Sequence, residues 1–262
     1  MTMANANPRA LILRTAGTNC DRETVYAFEQ AGAEVDLVHL NRMVESPERL
    51  FDYRILVFPG GFTYGDDLGA GTIFANRLRS GLLEPMHEFV EAGGLILGIC
   101  NGFQILVKIG MLPGIGGGEA HPASLVANDS NRFEERWVML EVTSDKSAFV
   151  RRGDRIFCPV AHGEGKFITA SDEDHAALFE HDQVVFRYVD REGGENPAYP
   201  MNPNGSRDAI AGISDPTGRV LGMMPHPERH LDPMLNPQWT REGLEARDTG
   251  RKLFSNAVEY VS

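Results

Sequence analysis

The first half of the chain alternates short, wholly apolar runs with segments whose apolar residues recur at helical spacing. Residues 10–13 form a strand-length apolar run, followed by a polar turn over 15–21. Val25, Phe28 and Ala31 then recur with the helical period, and Gly32 stands where a helix C-cap belongs. Further strands are predicted over 35–40, 54–58 and 95–99, and helices over about 72–92 and 101–109. This rhythm of strand, helix and strand implies right-handed crossovers and a parallel sheet covered on both faces.

The second half changes character. Residues 137–143, 155–160, 183–189, 209–214 and 219–224 are strand-like, and turn signals at 190–196 and 202–206 separate some of them. That pattern predicts antiparallel pairing. A last amphipathic helix is expected over 240–261. The fold class expected is α/β: a doubly wound, mostly parallel sheet with helices on both faces, extended by antiparallel strands. One domain is expected over 1–262, with a flexible start at 1–8 and a helical extension over 232–262.

Charge and cysteine content narrow the function classes. The formal net charge is -12, and no Lys/Arg cluster supplies the basic face that a nucleic-acid binder needs. No stretch approaches the roughly 20 apolar residues that cross a bilayer. Three cysteines without a Cys-x-x-Cys speak against a disulfide framework or a zinc site, and for a reducing, cytoplasmic setting. No metal is expected. The glycine-rich 114–118 lacks a following lysine and apolar helix, so it reads as a loop rather than a phosphate cradle.

Candidate chemistry begins at Gly98-Ile99-Cys100-Asn101-Gly102-Phe103-Gln104. An apolar strand ends in a cysteine and a helix follows at once, which makes a tight elbow at the carboxyl edge of the sheet. Gly98 and Gly102 flank it where a Cβ would collide with neighbouring backbone. The free N–H groups and positive end of the helix favour thiolate over thiol. The amide of Asn101 is then placed to stabilise an oxyanion. The plainer alternative, a small buried hydrophobe at a strand end, leaves the paired glycines unexplained. Cys20 and Cys158 read as packed thiols.

A thiolate nucleophile needs a proton carrier, and the carrier needs a group that fixes its tautomer. His226 has the best setting, after the apolar 220–224 and within His226-Pro227-Glu228. Pro227 biases His226 toward an extended backbone, so that His226 and Glu228 project to one side. His162, with Glu164 two residues on, is the rival base. Its flanking glycines suit a loop opened for a ligand better than a rigid mount.

At these residues the sequence resembles the class I, triad-type glutamine amidotransferases. The resemblance implies that Cys100 attacks the side-chain amide of glutamine, with His226 as general acid and base and Glu228 as its orienter. It further implies that Gly61 and Asn101 are the oxyanion donors. Gln104, Ala161, His162, Gly163 and Glu164 are implied as parts of the glutamine pocket. The stretch 59–67, Asn19-Cys20-Asp21, 159–166, 202–206 and 222–229 are similar, more narrowly, to glutaminase subunits of phosphoribosylformylglycinamidine synthase. That similarity implies ammonia delivery to a formylglycinamide ribonucleotide synthetase subunit, with a small third subunit between them. It implies no cofactor on this chain, with ATP and magnesium on the synthetase. Two other readings compete: a stand-alone cysteine hydrolase or protease on the same fold, and a glutaminase serving another synthetase. A non-catalytic relative would be free to lose one of Cys100, His226 and Glu228.

Overall fold

The computed structural model describes residues 7–114, 122–195, 197–244 and 248–262. Its frame is one nine-stranded sheet. The apolar run at the start becomes β1 (Arg9–Arg14), and α1 (Asp21–Gln30) returns the chain to β2 (Glu34–His39). A short α2 (Leu40–Glu45) leads to β3 (Ile55–Phe58), then α3 (Thr72–Arg79), α4 (Leu83–Glu91), β4 (Leu95–Ile99) and α5 (Asn101–Lys108). Next come β5 (Ala123–Val126), β6 (Glu134–Val142), β7 (Arg155–His162), β8 (Lys166–Thr169), α6 (Asp172–Glu180), β9 (Val184–Val189), β10 (Ile210–Ser214) and β11 (Val220–Met223). The chain closes with α7 (Trp239–Glu242) and α8 (Arg251–Val261).

The sheet order is β2-β1-β3-β4-β11-β10-β9-β6-β7, while β5 and β8 form a separate ribbon. β1 to β4 pair in parallel, and every residue of β3 and β4 is buried, as a sheet covered on both faces requires. β10, β9, β6 and β7 pair antiparallel, as the turn signals predict. β11 departs from that expectation: it lies parallel to β4 and antiparallel to β10, and so joins the two halves of the sheet. The carboxyl ends of β4 and β11, which carry Cys100 and His226, are therefore neighbours.

Two helices also differ from the sequence reading. The stretch 72–92 is two helices, broken between Arg79 and Leu83. Pro85 explains the break: in a continuous helix its ring would meet the carbonyl of Gly81, and its missing N–H would leave that carbonyl unpaired. The last helix is likewise broken into α7 and α8. Between them the chain is pinned against the His226 turn. Gly250 donates its N–H to His230 O at 2.9 Å, and a Cβ there would lie 2.1 Å from Pro227 O. α8 then buries Leu253, Phe254, Ala257 and Val258, with the Phe254 ring edge-on to Phe28 of α1 at 5.1 Å. Residues 1–6 of the expected flexible start, and 115–118 of the glycine-rich loop, lie outside the described residues.

Candidate active site

The elbow follows from how closely α5 sits on the sheet. β4 and β11 pair Gly98 with Gly222 and Ile99 with Met223, and Cys100 N–H donates to Met223 O at 2.8 Å. A Cβ on Gly102 would lie 1.9 Å from Phe58 O, and one on Gly98 would lie 2.7 Å from the Gly102 carbonyl. Only glycine lets the first turn of α5 rest on β3 and β4 this closely. Cys100 takes up the remaining bend at φ 52, ψ -105, a region that costs a residue with a Cβ roughly 1–3 kcal/mol. Its sulfur, 3.7 Å from Ala161 O, stands at the N-terminus of α5.

His226 leaves the end of β11 with its N–H on Pro159 O at 2.8 Å. Its backbone (φ -107, ψ 84) is near-extended, and Pro227–Arg229 then turn as a short 3-10 segment. The meeting of the two side chains thus comes from a turn rather than from strand alternation. His226 Nδ1 and Glu228 Oε1 are 2.7 Å apart, and both residues are buried. Nδ1–H donates to the carboxylate, which turns Nε2 to the other edge of the ring. Nε2 is buried and makes no hydrogen bond among the described residues. Burial pushes the His226 pKa down, but the Glu228 charge, then the Cys100 sulfur, outweigh it and hold the imidazole well above its usual range. The protonated imidazole is therefore favoured beside the Cys100 sulfur.

Gly61 is clamped from the opposite side. It bridges Thr18, its φ is 152°, and a Cβ would lie 2.6 Å from Gly17 O. The N–H groups of Asn19 and Cys20 both donate to Gly60 O, at 3.3 and 3.1 Å. Asn101, the first residue of α5, is fully buried; its Oδ1 accepts from Thr63 Oγ1 at 2.6 Å. Gly61, Cys100, Ala161 and His226 share one cavity of about 190 Å³, with Phe62 and Phe133 also on its wall.

The other residues assigned to the glutamine pocket lie behind that cavity. Gln104 Nε2 donates to Glu164 O at 2.7 Å, and its Oε1 accepts from Asn101 Nδ2 at 3.0 Å. Glu164 Oε2 accepts from Ala70 N–H at 3.3 Å. Asn128 N–H donates to Gly163 O, and Asn128 Oδ1 lies 3.1 Å from His162 Nδ1. These bonds tie residues 161–164 to α5 and to the loop before α3. Half-buried Asp66 joins them through Gly71 N–H and Asn101 Nδ2. Burial, reinforced by the Glu164 charge, raises the Asp66 pKa despite those donors.

Sequence reasoning missed Cys20 and Arg229 as neighbours of the dyad. Cys20 Sγ lies 3.9 Å from His226 Nδ1, and Arg229 Nη2 donates to it at 3.1 Å. Cys20, His226 and Glu228 bring three possible metal donors within 4.8 Å. The arrangement already holds a cation, Arg229, against the sulfur, and the His226–Glu228 hydrogen bond uses the facing donors. It suits a charge-balanced dyad better than a metal ion.

His162 differs from His226. Burial, reinforced by the positive charge on His226, holds its pKa down to about 4, so it stays neutral. Asn128 Nδ2 donates to His162 O, so Oδ1 of that amide is the acceptor and His162 Nδ1 carries the proton. The unfolded chain takes up that proton near pH 6.5, the folded chain only near pH 4. Stability is therefore complete above pH 6.5 and declines through the window between them, by roughly 3 kcal/mol in all. His162→Gln should flatten this acid decline, as read from urea unfolding at pH 7 and pH 4.5. An unchanged decline would place the sensitivity elsewhere.

With this geometry in hand, comparisons with known proteins are specific. A family model described as a CobB/CobQ-like glutamine amidotransferase domain matches residues 7–261. A phosphoribosylformylglycinamidine synthase subunit PurQ from Dehalococcoides mccartyi is 47% identical, over 97% of this chain and 97% of its own. One from Methanococcus maripaludis is 41% identical over 99% and 100%. Among solved structures, a chain of PurLQS from Thermotoga maritima superposes with a TM-score of 0.74 at 32% identity, covering 98% of this chain and all of that one. The sheet described above is thus the class I glutamine amidotransferase fold.

Proposed function

Because the chain belongs to the CobB/CobQ-like glutamine amidotransferases, and within them to the family of phosphoribosylformylglycinamidine synthase subunit PurQ, we propose that it hydrolyses glutamine for such a synthase. Cys100 attacks the side-chain amide carbon. His226 carries the proton from sulfur to the departing ammonia, and water then cleaves the thioester to glutamate. Glu228 keeps His226 in the tautomer that leaves Nε2 for this exchange. Gly61 and Asn101 N–H groups receive the oxyanion. Ala161 borders the substrate, while Gln104, His162, Gly163 and Glu164 hold the pocket wall from behind. The observation that carries this reading is the buried 2.7 Å His226–Glu228 contact opening onto the same cavity as a strained Cys100.

We read the rest of the assembly by likeness to the family. Ammonia passes to a synthetase subunit that converts formylglycinamide ribonucleotide to the amidine with ATP and magnesium bound there, and a small third subunit completes the complex. This chain needs no cofactor of its own for amide hydrolysis by sulfur. It acts as one amidotransferase domain in the cytoplasm, and among the described residues no helix is long and apolar enough to cross a membrane. A cavity of about 190 Å³ suits one amino acid rather than a polypeptide, which speaks against the protease reading. The test is affinity labelling with 6-diazo-5-oxo-norleucine, a reactive glutamine mimic, in the complex with the synthetase. One label is expected, on the peptide bearing Cys100. Label on Cys20 or Cys158, or none, would reject the proposal.

A further inference from the structure

Cys20 is 1% exposed, and its surroundings are more ordered than packing alone requires. Its S–H donates to Asn19 Oδ1 at 3.2 Å, and the sulfur accepts from Arg229 Nη2 at 3.1 Å. Arg229 belongs to the same turn as Glu228, so the clamp on the sulfur and the carboxylate of the dyad move as one unit. The sulfur lies 3.9 Å from His226 Nδ1, too long for a strong hydrogen bond and close to van der Waals contact. On the same side of the ring, a Cβ on Gly60 would lie 2.7 Å from His226 Cε1 and 3.2 Å from Cys20 Sγ. The imidazole is thus bounded by the Gly60 backbone and the Cys20 sulfur. Cys20 N–H also holds Gly60 O, next to the proposed oxyanion donor.

We infer that Cys20, clamped by Arg229, is a positioning residue for the hydrolysis of glutamine. Its sulfur is the stop that fixes the rotation of the His226 ring, and its N–H registers that ring to the Gly60-Gly61 backbone. A histidine ring turns in a broad, two-fold torsion, so one hydrogen bond to Glu228 leaves rotational freedom that a second contact removes. Small displacements of a base are costly: about 1 Å can lower the rate roughly 100-fold. The inference rests on the amidotransferase reading of Cys100.

The groups facing His226 are Glu228, Cys100, Cys20 and the neutral His162, with Arg229 beyond Cys20 and Cys158 beneath the dyad. The experiment uses the complex with its synthetase. Cys20→Ala should lower kcat with glutamine about 10- to 100-fold and change KM less than about twofold. Activity with ammonium salt should be unchanged. The limb of the pH profile governed by His226 should move to lower pH, since the Cys20 contact favours the imidazolium. Cys20→Ser, which restores a polar atom to the stop, should recover most of kcat. Wild-type kcat and an unmoved limb in Cys20→Ala would overturn the inference. So would equal loss of both activities, or a serine variant as slow as the alanine one. Labelling of wild-type Cys100 by the glutamine mimic, run in parallel, separates the two failures: its absence sinks the amidotransferase reading, whereas its presence with normal Cys20→Ala kinetics sinks only the positioning role.

Discussion

Cys100→Ala is expected to lower glutamine-dependent synthesis by the complex about 10³-fold or more, at least ~4 kcal/mol of barrier, while synthesis from ammonium salt continues. The size follows from the chemistry: without the sulfur no thioester forms, and water must attack an unactivated amide directly. The selectivity follows from the fold. Cys100 occupies a single strained position between β4 and α5, and alanine adopts that backbone no more readily than cysteine. Alanine also leaves the Met223 O hydrogen bond and the seating of Gly102 untouched. Parallel assays with the two nitrogen sources read the result. Loss of both activities together would make Cys100 structural, and retention of both would remove it from the reaction.

How much of this site could be read from the sequence depends on how local each feature is. The elbow was legible because strand, cysteine and flanking glycines occupy consecutive positions over 95–102, and each glycine answers to a real contact. The His226–Glu228 pair was legible because a proline sits between them. Their approach to Cys100 was not, because the apolar residues of β11 do not name their partner strand. Only the sheet order reveals that β11 sits against β4. Two helix breaks were missed for different reasons: Pro85 was a local signal present in the sequence, whereas the pinning of Gly250 under Pro227 is a tertiary demand. α6 also went unread although Ser171 and Asp174 carry a capping-box pattern, and Ser171 Oγ does accept from Asp174 N–H at 3.0 Å. Cys20 was read as a packed thiol, and it is buried. Its neighbour His226 lies 206 positions away, beyond the reach of any local pattern.

The pocket residues teach the same point in reverse. Gln104 and Glu164 were singled out by resemblance, yet their polar atoms are engaged with Asn101, Ala70 and each other. A motif identifies that a residue matters without saying which atom it faces. Here the hydrogen bonds run from α5 through Asn101 and Asp66 to the loop before α3.

Gly102→Ala should lower stability sharply. The added Cβ would lie 1.9 Å from Phe58 O and 2.9 Å from Phe58 Cβ. Neither the backbone carbonyl nor the buried β3 that carries it can rotate away, so α5 must lift from the sheet. Overpacking of this kind costs about 1–3 kcal/mol and more where the obstacle is backbone. At the upper figure Tm should fall by roughly 6–12 °C for a chain of this size. Activity should fall further than the folded fraction accounts for. Lifting α5 moves Cys100 and Asn101 on one side, and pressure on Phe58 reaches Gly60 and Gly61 on the other, so nucleophile and oxyanion donors separate together. Calorimetry and the glutamine assay at 25 °C measure the two losses independently. A variant with wild-type Tm would mean that α5 stands farther from β3 than described, and normal glutamine turnover in a destabilised variant would mean that the elbow does not set the geometry of the reaction.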